Sequence, residues 1–315
     1  MSASMPWPVA PMSSLSAVAS PFLAAARVHL PEAFDAQRRD IRIDGVGRVS
    51  YYRAGPESGA PLLLVHSINA APSAFEMRPL FEQYRQTRQV VVPDLPGFGF
   101  SERADRRYSP ELFANALVGI LKDVIGAPAD VVGFSLGAEF TARAALEVPG
   151  LVRSLALISP TGFSTRTMPG GETGQKVHRV LRFPGLSQGL FAALTSRPSI
   201  RHFLGLSFVG PVPEAMVDYA YATAHQLGAR YAPLYFLSGQ LFTPDATDRL
   251  YAGLSQPALV LHDRDANINF DLLPDFMRNR PNWRVERIAP TLGLPHWEKP
   301  GETTAAMDRF WADCT

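Results

Sequence analysis

The chain has almost no cysteine and very little lysine. Its single cysteine, Cys314, excludes an internal disulfide and every zinc site built on paired cysteines. Cys314 is also a poor candidate nucleophile, because it lies beside the C-terminus. Lysine occurs only at Lys122, Lys176 and Lys299, and the more numerous arginines are scattered among acidic residues. With a net charge of +1 and no basic stripe, the sequence predicts no nucleic-acid partner.

Long hydrophobic runs are missing as well. No run reaches the roughly 18 apolar residues that a membrane-spanning helix requires. The nearest, from Leu15 to Ala26, is broken by Pro21. No charged residue precedes Arg27, so the basic start of a secretory signal is absent. We therefore expect a cytoplasmic protein without a transmembrane segment.

The chain contains enough apolar residues to form a large hydrophobic core. Hydrophobic residues make up 46% of its 315 residues and charged residues 19%, which is typical of a globular protein. Short apolar runs at 61–66, 89–94, 129–132 and 151–159 alternate with amphipathic stretches. Such runs are typical of strands buried on both faces of a parallel sheet. Residues 41–51 alternate in hydrophobicity and predict a β-hairpin, so the fold class is α/β with a doubly wound, mostly parallel sheet.

The pattern of buried strands stops after Ser159 and resumes at 257–262. The stretch between them predicts short helices, whose many aromatic residues would form a core of their own and line part of a pocket. We expect this helical insertion after the sixth strand. The predicted organisation is an N-terminal arm at 1–35, a core at 36–160 and 256–315, and a helical cap at 161–255.

One motif carries a candidate nucleophile. Residues 133–137, Gly-Phe-Ser-Leu-Gly, match G-x-S-x-G, follow a β-rich run and open an alanine-rich helix. Five such residues alone could be a simple loop, but a serine between strand and helix sits on a strained turn above the sheet edge. The helix N-terminus there also favours a developing oxyanion. Ser135 is therefore the predicted nucleophile.

A serine needs a base, and the chain has seven histidines. His296 is the predicted base, because it alone lies in a loop after the last strand, at the sheet edge where Ser135 must also lie. The other six fall in the N-terminal arm, in the insertion or at the ends of buried strands: His29, His66, His178, His202, His225 and His262.

The imidazole in turn needs a carboxylate that fixes its tautomer. The loop after strand 257–262 offers Asp263, Asp265 and Asp271. We predict Asp265, which lies further into the loop and reaches better towards His296, with Asp263 as the alternative. The same loop imitates the start of a calcium loop, but Ile268 replaces the required glycine, so no metal is expected.

With these residues in hand, the chain resembles the α/β-hydrolase-fold family with a cap. Residues 94–101 resemble its D-x-P-G-x-G-x-S loop, 133–137 its nucleophile elbow and 295–300 its histidine loop. The resemblance implies a cofactor-independent serine hydrolase that cleaves a small-molecule carboxylic ester through an acyl-enzyme. It also implies that the backbone N–H groups of Ile68 and Leu136 form the oxyanion hole.

Two positions depart from the family pattern. Ser67 replaces the usual glycine after His66, and the acid loop lacks the glycine that usually stands three residues before its aspartate. We predict an ordinary backbone at Ser67, with the Ile68 N–H still directed at the site. Carbon–carbon bond hydrolases, thioesterases, lactonases and acyltransferases share the serine and stay open as alternatives. A non-catalytic ligand-binding module is the alternative from a different class.

Overall fold

The computed structural model describes residues 28–166, 168 and 170–314, and an eight-stranded sheet forms its centre. In chain order the strands are β1 (Arg38–Ile43), β2 (Gly47–Ala54), β3 (Leu62–Val65), β4 (Val90–Pro93), β5 (Ala129–Phe134), β6 (Val152–Ile158), β7 (Ala258–His262) and β8 (Trp283–Arg287). Their spatial order is β1-β2-β4-β3-β5-β6-β7-β8. Within the described chain, β2 pairs antiparallel with both neighbours and the other pairs are parallel. The predicted hairpin and fold class are confirmed.

In the part of the chain that the structure describes, the strands of the first half are connected by α1 (Arg78–Tyr84), α2 (Pro110–Gly119), which continues as a π-helical segment at Ile120–Ile125, and α3 (Gly137–Glu147). A short 3₁₀ turn, Ala74–Met77, leads into α1. The start of α2 follows its sequence signals, because Ser109 accepts the Leu112 N–H and Pro110 occupies the first turn. These helices and the alternating strand residues form two cores, one on each face of the sheet.

The helical insertion after the sixth strand is confirmed. It contains α4 (Gly171–Leu181), α5 (Leu186–Leu194), α6 (Arg197–Gly205), α7 (Glu214–Ala224), α8 (Tyr231–Leu237) and α9 (Ala246–Arg249). The sequence pattern did not predict α8. Its residues, Tyr-Ala-Pro-Leu-Tyr-Phe-Leu, include a proline and three aromatics with modest helix propensity, and burial of Ala232 and Leu234 stabilises it instead.

The last three helices are α10 (Leu273–Met277), α11 (Pro295–Glu298) and α12 (Pro300–Ala312). The prediction of an open loop around His296 was wrong in one respect, since this histidine lies in the one-turn helix α11. A four-residue helix is too short to show a 3.6-residue period in the sequence. Pro295 at its first position supplies the fixed φ angle that starts the turn.

The described part of the predicted N-terminal arm packs on the core. Leu30 and Phe34 are buried, and the Ala33 N–H donates to the Tyr52 hydroxyl at 3.0 Å. Residues 1–27 of the arm lie outside the described residues. The boundaries between arm, core and cap remain predictions. Among the described helices, none is long and apolar enough to cross a membrane.

Candidate active site

Ser135 occupies a strained turn between β5 and α3. Its φ angle is +53°, in the left-handed region that a residue with a side chain rarely adopts. The Ser135 N–H donates to the Ile158 carbonyl at 2.9 Å, which ties the turn to β6. The hydroxyl therefore stands above the carboxyl edge of the sheet, where the sequence predicts a nucleophile.

The two glycines of the motif are required by close packing. A Cβ on Gly133 would lie 2.6 Å from the Thr141 hydroxyl, and one on Gly137 would lie 2.4 Å from the His66 carbonyl. Both distances are shorter than any ordinary contact of a carbon atom. Glycine is thus needed at both positions for the turn to close against α3 and against the backbone of His66, just after β3.

The proposed oxyanion donors are free to bind a ligand. Neither the Ile68 nor the Leu136 N–H donates to another group within the described chain, and both residues line the same cavity as Ser135. Ser67 has no positive φ angle, so the prediction of an ordinary backbone at this position is confirmed. The direction of the Ile68 N–H towards a bound oxyanion stays a prediction.

His66 has a structural role. Its Nδ1–H donates to the Ser67 carbonyl at 2.6 Å, and its Nε2 accepts the Leu95 N–H at 2.9 Å. Burial lowers its pKa to about 4, so the ring is neutral near pH 7. With both nitrogens engaged, His66 holds the loop after β3 in place and cannot act as the base.

His296 is fully buried beside the nucleophile turn. Its ring packs edge-on against Phe134, the residue before Ser135, with the centroids 5.0 Å apart. The Nε2–H donates to the Glu76 carbonyl at 3.0 Å, and Nδ1 has no partner within the described residues. Burial lowers the pKa of His296 to about 4, so the ring is neutral and able to accept a proton.

The two candidate acids have different surroundings. The Asp263 carboxylate binds Arg287 at 2.6 Å and accepts the Thr291 N–H at 2.8 Å. Burial opposes its charge, but these donors outweigh burial and lower its pKa. The negative charge of Asp263 is therefore already balanced by the positive charge of Arg287.

Asp265 lies against the segment that leads to His296. Gly293 has a φ angle of +119°, which favours glycine, and a Cβ at this position would lie 2.6 Å from the Asp265 Oδ2. The carboxylate accepts the N–H groups of Asn267 and Ile268, and burial raises its pKa. Within the described residues, no cation pairs with Asp265, which leaves its charge available to an imidazolium.

The structure places these groups at one edge of the sheet without joining them by hydrogen bonds. In the described chain, Ser135, Asp265 and His296 make no hydrogen bond to one another, and the partner of the His296 Nε2–H is the Glu76 carbonyl. Among the same residues, no group of three His, Cys, Asp or Glu side chains could hold a metal ion.

A cavity of about 900 Å³ opens over Ser135. Its floor includes Ile68 and Leu136, and the helical insertion contributes apolar residues to its wall: Ile200, Phe203, Met216, Tyr219, Phe236 and Phe242. Such a volume lies within the range of about 300–1,000 Å³ for small-molecule sites.

Two buried carboxylates on the cavity wall were not predicted from the sequence. Glu139 accepts hydrogen bonds from Thr161 and from the Thr243 N–H, and Glu76 accepts them from the loop after β3. Burial raises the pKa of both carboxyl groups. Neither residue belongs to a sequence motif: Glu139 lies in the first turn of α3, and Glu76 is the one polar residue of the turn Ala74–Met77.

These features define the class of the molecule. A doubly wound sheet, a serine on a left-handed turn after a central strand and a helical insertion after the sixth strand together describe an α/β hydrolase. The chain belongs to the alpha/beta hydrolase family, whose sequence model matches residues 62–307.

Among known proteins, the 2-hydroxymuconate semialdehyde hydrolase of Pseudomonas sp. (strain CF600) is 32% identical over 128 residues. The match covers 40% of this chain and 44% of that protein, so the chain spans under half the length of this relative.

Two solved structures share the fold. The CarC enzyme, a serine hydrolase involved in carbazole degradation, has a TM-score of 0.70 at 18% identity, over 88% of this chain and 99% of that chain. A thermophilic esterase from Thermogutta terrifontis has a TM-score of 0.67 at 22% identity, over 89% and 99%. At these identities the likeness establishes the fold alone.

Proposed function

We propose that this hydrolase is a serine esterase that cleaves small to medium, largely apolar carboxylic esters through an acyl-enzyme. The observation that carries the proposal is Ser135, held at a φ angle of +53° at the floor of a 900 Å³ cavity beside two free N–H groups. In this proposal His296 is the base, Asp265 orients it, and the N–H groups of Ile68 and Leu136 bind the oxyanion.

Catalysis requires a change in the orientation of the His296 ring. Its Nε2–H now faces the Glu76 carbonyl, whereas a base must present a bare nitrogen to the serine hydroxyl. A half-turn about the Cβ–Cγ bond exchanges Nε2 with Cε1 and Nδ1 with Cδ2 without moving the backbone. The Cε1–H would then face the Glu76 carbonyl, a weak but favourable contact. With the ring proton exchanged through solvent from Nε2 to Nδ1 and donated to Asp265, Nε2 would present a bare lone pair to Ser135.

With the ring in that orientation, the reaction has two steps, acylation of Ser135 and hydrolysis of the acyl-enzyme. His296 takes the Ser135 proton as the hydroxyl oxygen attacks the ester carbonyl, and the tetrahedral oxyanion is held by the two N–H groups. His296 then protonates the leaving alcohol, which leaves an acyl-enzyme. Water, deprotonated by the same imidazole, releases the acid and restores Ser135.

The charges around the cavity favour a neutral substrate. Among the described residues that line it, Arg166 is the one cation, against the carboxylates of Glu76, Glu139, Asp245 and Asp265. An anionic ester would face a net negative wall, while an apolar acyl group would contact the aromatic wall of the insertion.

We therefore predict a bell-shaped dependence on acyl length. With p-nitrophenyl esters, kcat/KM should rise from acetate to butyrate or hexanoate, because each buried methylene contributes about 0.8 kcal/mol of transition-state binding. It should fall for chains too long for a closed cavity. Esters with an anionic acyl group serve as the charge control and should be poor substrates. A flat profile, or a preference for palmitate with activation at an oil interface, would contradict this prediction.

Carbon–carbon bond hydrolysis is the second candidate. It is favoured by the sequence match to a protein named as a semialdehyde hydrolase, and by Arg166, which could bind a carboxylate at the cavity rim. The two candidates separate in a direct comparison of p-nitrophenyl butyrate with a 2-hydroxy-6-oxodienoate. A higher kcat/KM for the dienoate, lost in Arg166→Ala, would replace the esterase proposal.

A further inference from the structure

Glu76 contacts the two parts of the site that flank Ser135. It lies in the 3₁₀ turn Ala74–Met77, is 8% exposed and lines the cavity. Its carboxylate reaches the loop after β3, and its backbone carbonyl reaches α11, which carries His296.

The carboxylate spans the segment that carries the Ile68 N–H. Its Oε2 accepts the Ser67 N–H at 2.9 Å, and its Oε1 accepts the Asn69 side-chain amide at 2.9 Å. Ile68 is therefore held between two residues that bind the same carboxylate. The Asn69 side chain also donates to the Ser67 hydroxyl and accepts the Ala71 N–H, so its own orientation is fixed.

The carbonyl of Glu76 holds the other side of the site. It accepts the His296 Nε2–H at 3.0 Å and the Trp297 indole N–H at 2.6 Å. One residue thus sets the spacing between the oxyanion loop and the histidine helix, two segments that are far apart in the sequence.

The environment of the carboxylate fits a positioning role. Burial raises the pKa of the Glu76 carboxyl group to about 6. The hydrogen bonds from Ser67 and Asn69 act in the opposite direction, because they stabilise the charged carboxylate. Ser67 lacks the freedom of glycine to adopt positive φ angles and has an ordinary backbone, and the acceptance of its N–H by Glu76 holds that backbone in place.

We propose that Glu76 is a positioning residue that directs the Ile68 N–H into the oxyanion hole. The inference rests on the proposed serine esterase activity. Glu76 itself does not touch the reacting atoms, and it acts by accepting the Ser67 N–H and the Asn69 amide on either side of Ile68.

The variant Glu76→Gln tests the role. A glutamine of the same shape must turn its NH₂ group towards either Ser67 or Asn69, which places two donors face to face. If Asn69 flips to relieve this, its own NH₂ then meets the Ala71 N–H that its oxygen now accepts. The mismatch persists in either arrangement, so the loop must shift.

We expect the kcat of Glu76→Gln for p-nitrophenyl butyrate to fall by about 10- to 100-fold. This decrease does not exceed the decrease in kcat that follows the complete removal of one oxyanion donor. The KM should stay within about 3-fold of wild type. The affinity for an alkyl trifluoromethyl ketone, whose serine adduct carries an oxyanion, should fall by the same factor as kcat/KM. If Glu76 had a purely structural role, its replacement would lower the melting temperature without a selective loss of kcat and of ketone affinity. Measurements at roughly pH 8 keep Glu76 ionised.

Two further variants complete the experiment. Asn69→Ala removes the hydrogen bond to Oε1 of Glu76 and leaves the one from the Ser67 N–H. Its kcat and its ketone affinity should fall by a smaller factor, about 3- to 10-fold. Glu102→Gln is the matched control, because Glu102 also accepts a backbone N–H, from Arg48 at 3.1 Å, and does not line the cavity. Its kcat and ketone affinity should equal those of wild type.

The outcomes separate this inference from the proposed function. Wild-type kcat and ketone affinity in Glu76→Gln would overturn the inference alone. If that variant does not fold, Asn69→Ala decides, and an unchanged ketone affinity there overturns the inference. A wild-type protein that neither hydrolyses the ester nor binds the ketone would overturn the proposed function, and the inference with it.

Discussion

Ser135→Ala is expected to lower kcat for p-nitrophenyl butyrate by about 10⁴-fold or more, because the members of a catalytic triad act as a unit. Serine and alanine share the same Cβ, so the strain of a φ angle of +53° is present in both and folding should be preserved. Circular dichroism and the melting temperature check the fold, and initial rates check the activity.

His296→Ala should reach a similar residual rate, and the double variant should be no slower than either single one. Because His296 is fully buried, this variant should also lose stability through the cavity it leaves. His202→Ala is the matched control, since His202 is exposed on the insertion and should retain full activity. Additive losses in the double variant would show that Ser135 and His296 do not act together.

Asp265→Asn is expected to lower kcat by about 10²- to 10⁴-fold. The asparagine keeps the shape of the side chain but neither stabilises the imidazolium nor fixes the catalytic tautomer. The KM should change little, because Asp265 acts on the histidine in the transition state. Steady-state kinetics of the purified variant at matched folded concentration provide the measurement.

Asp263→Asn is the control for that experiment. Its carboxylate is already bound by Arg287 and by the Thr291 N–H, and an asparagine oxygen can still accept one of these bonds. We expect a loss of less than about 10-fold, together with a lower melting temperature from the broken ion pair. If Asp263→Asn were the more damaging variant, the assignment of the acid would be wrong.

The fold and the strained turn at Ser135 follow from local sequence patterns. Each buried strand is a short apolar run, and the G-x-S-x-G motif contains the two glycines at which a Cβ atom would collide with α3 and with the His66 carbonyl. Ser109 and Pro110 mark the start of α2 by their own chemistry. These features depend on residues within a few positions of one another, so the sequence suffices to predict them.

The rest depends on contacts between distant segments. The choice between Asp263 and Asp265 rested on reach along the loop, whereas in the structure the difference is Arg287, which belongs to another strand. Glu76 belongs to no motif, and the role proposed for it rests on contacts with both Ser67 and His296, which are far from each other in the sequence. The orientation of the His296 ring is likewise set by the Glu76 carbonyl, which no local pattern encodes.

The most direct test of the central claim is labelling with a fluorophosphonate, which reacts far faster with an activated serine than with an ordinary hydroxyl group. We expect one label per chain, found by peptide mass spectrometry on the peptide that contains Ser135, and no label on folded Ser135→Ala or on heat-denatured wild type. A folded, unlabelled wild-type protein, or a label on another serine, would contradict the claim that Ser135 is the nucleophile.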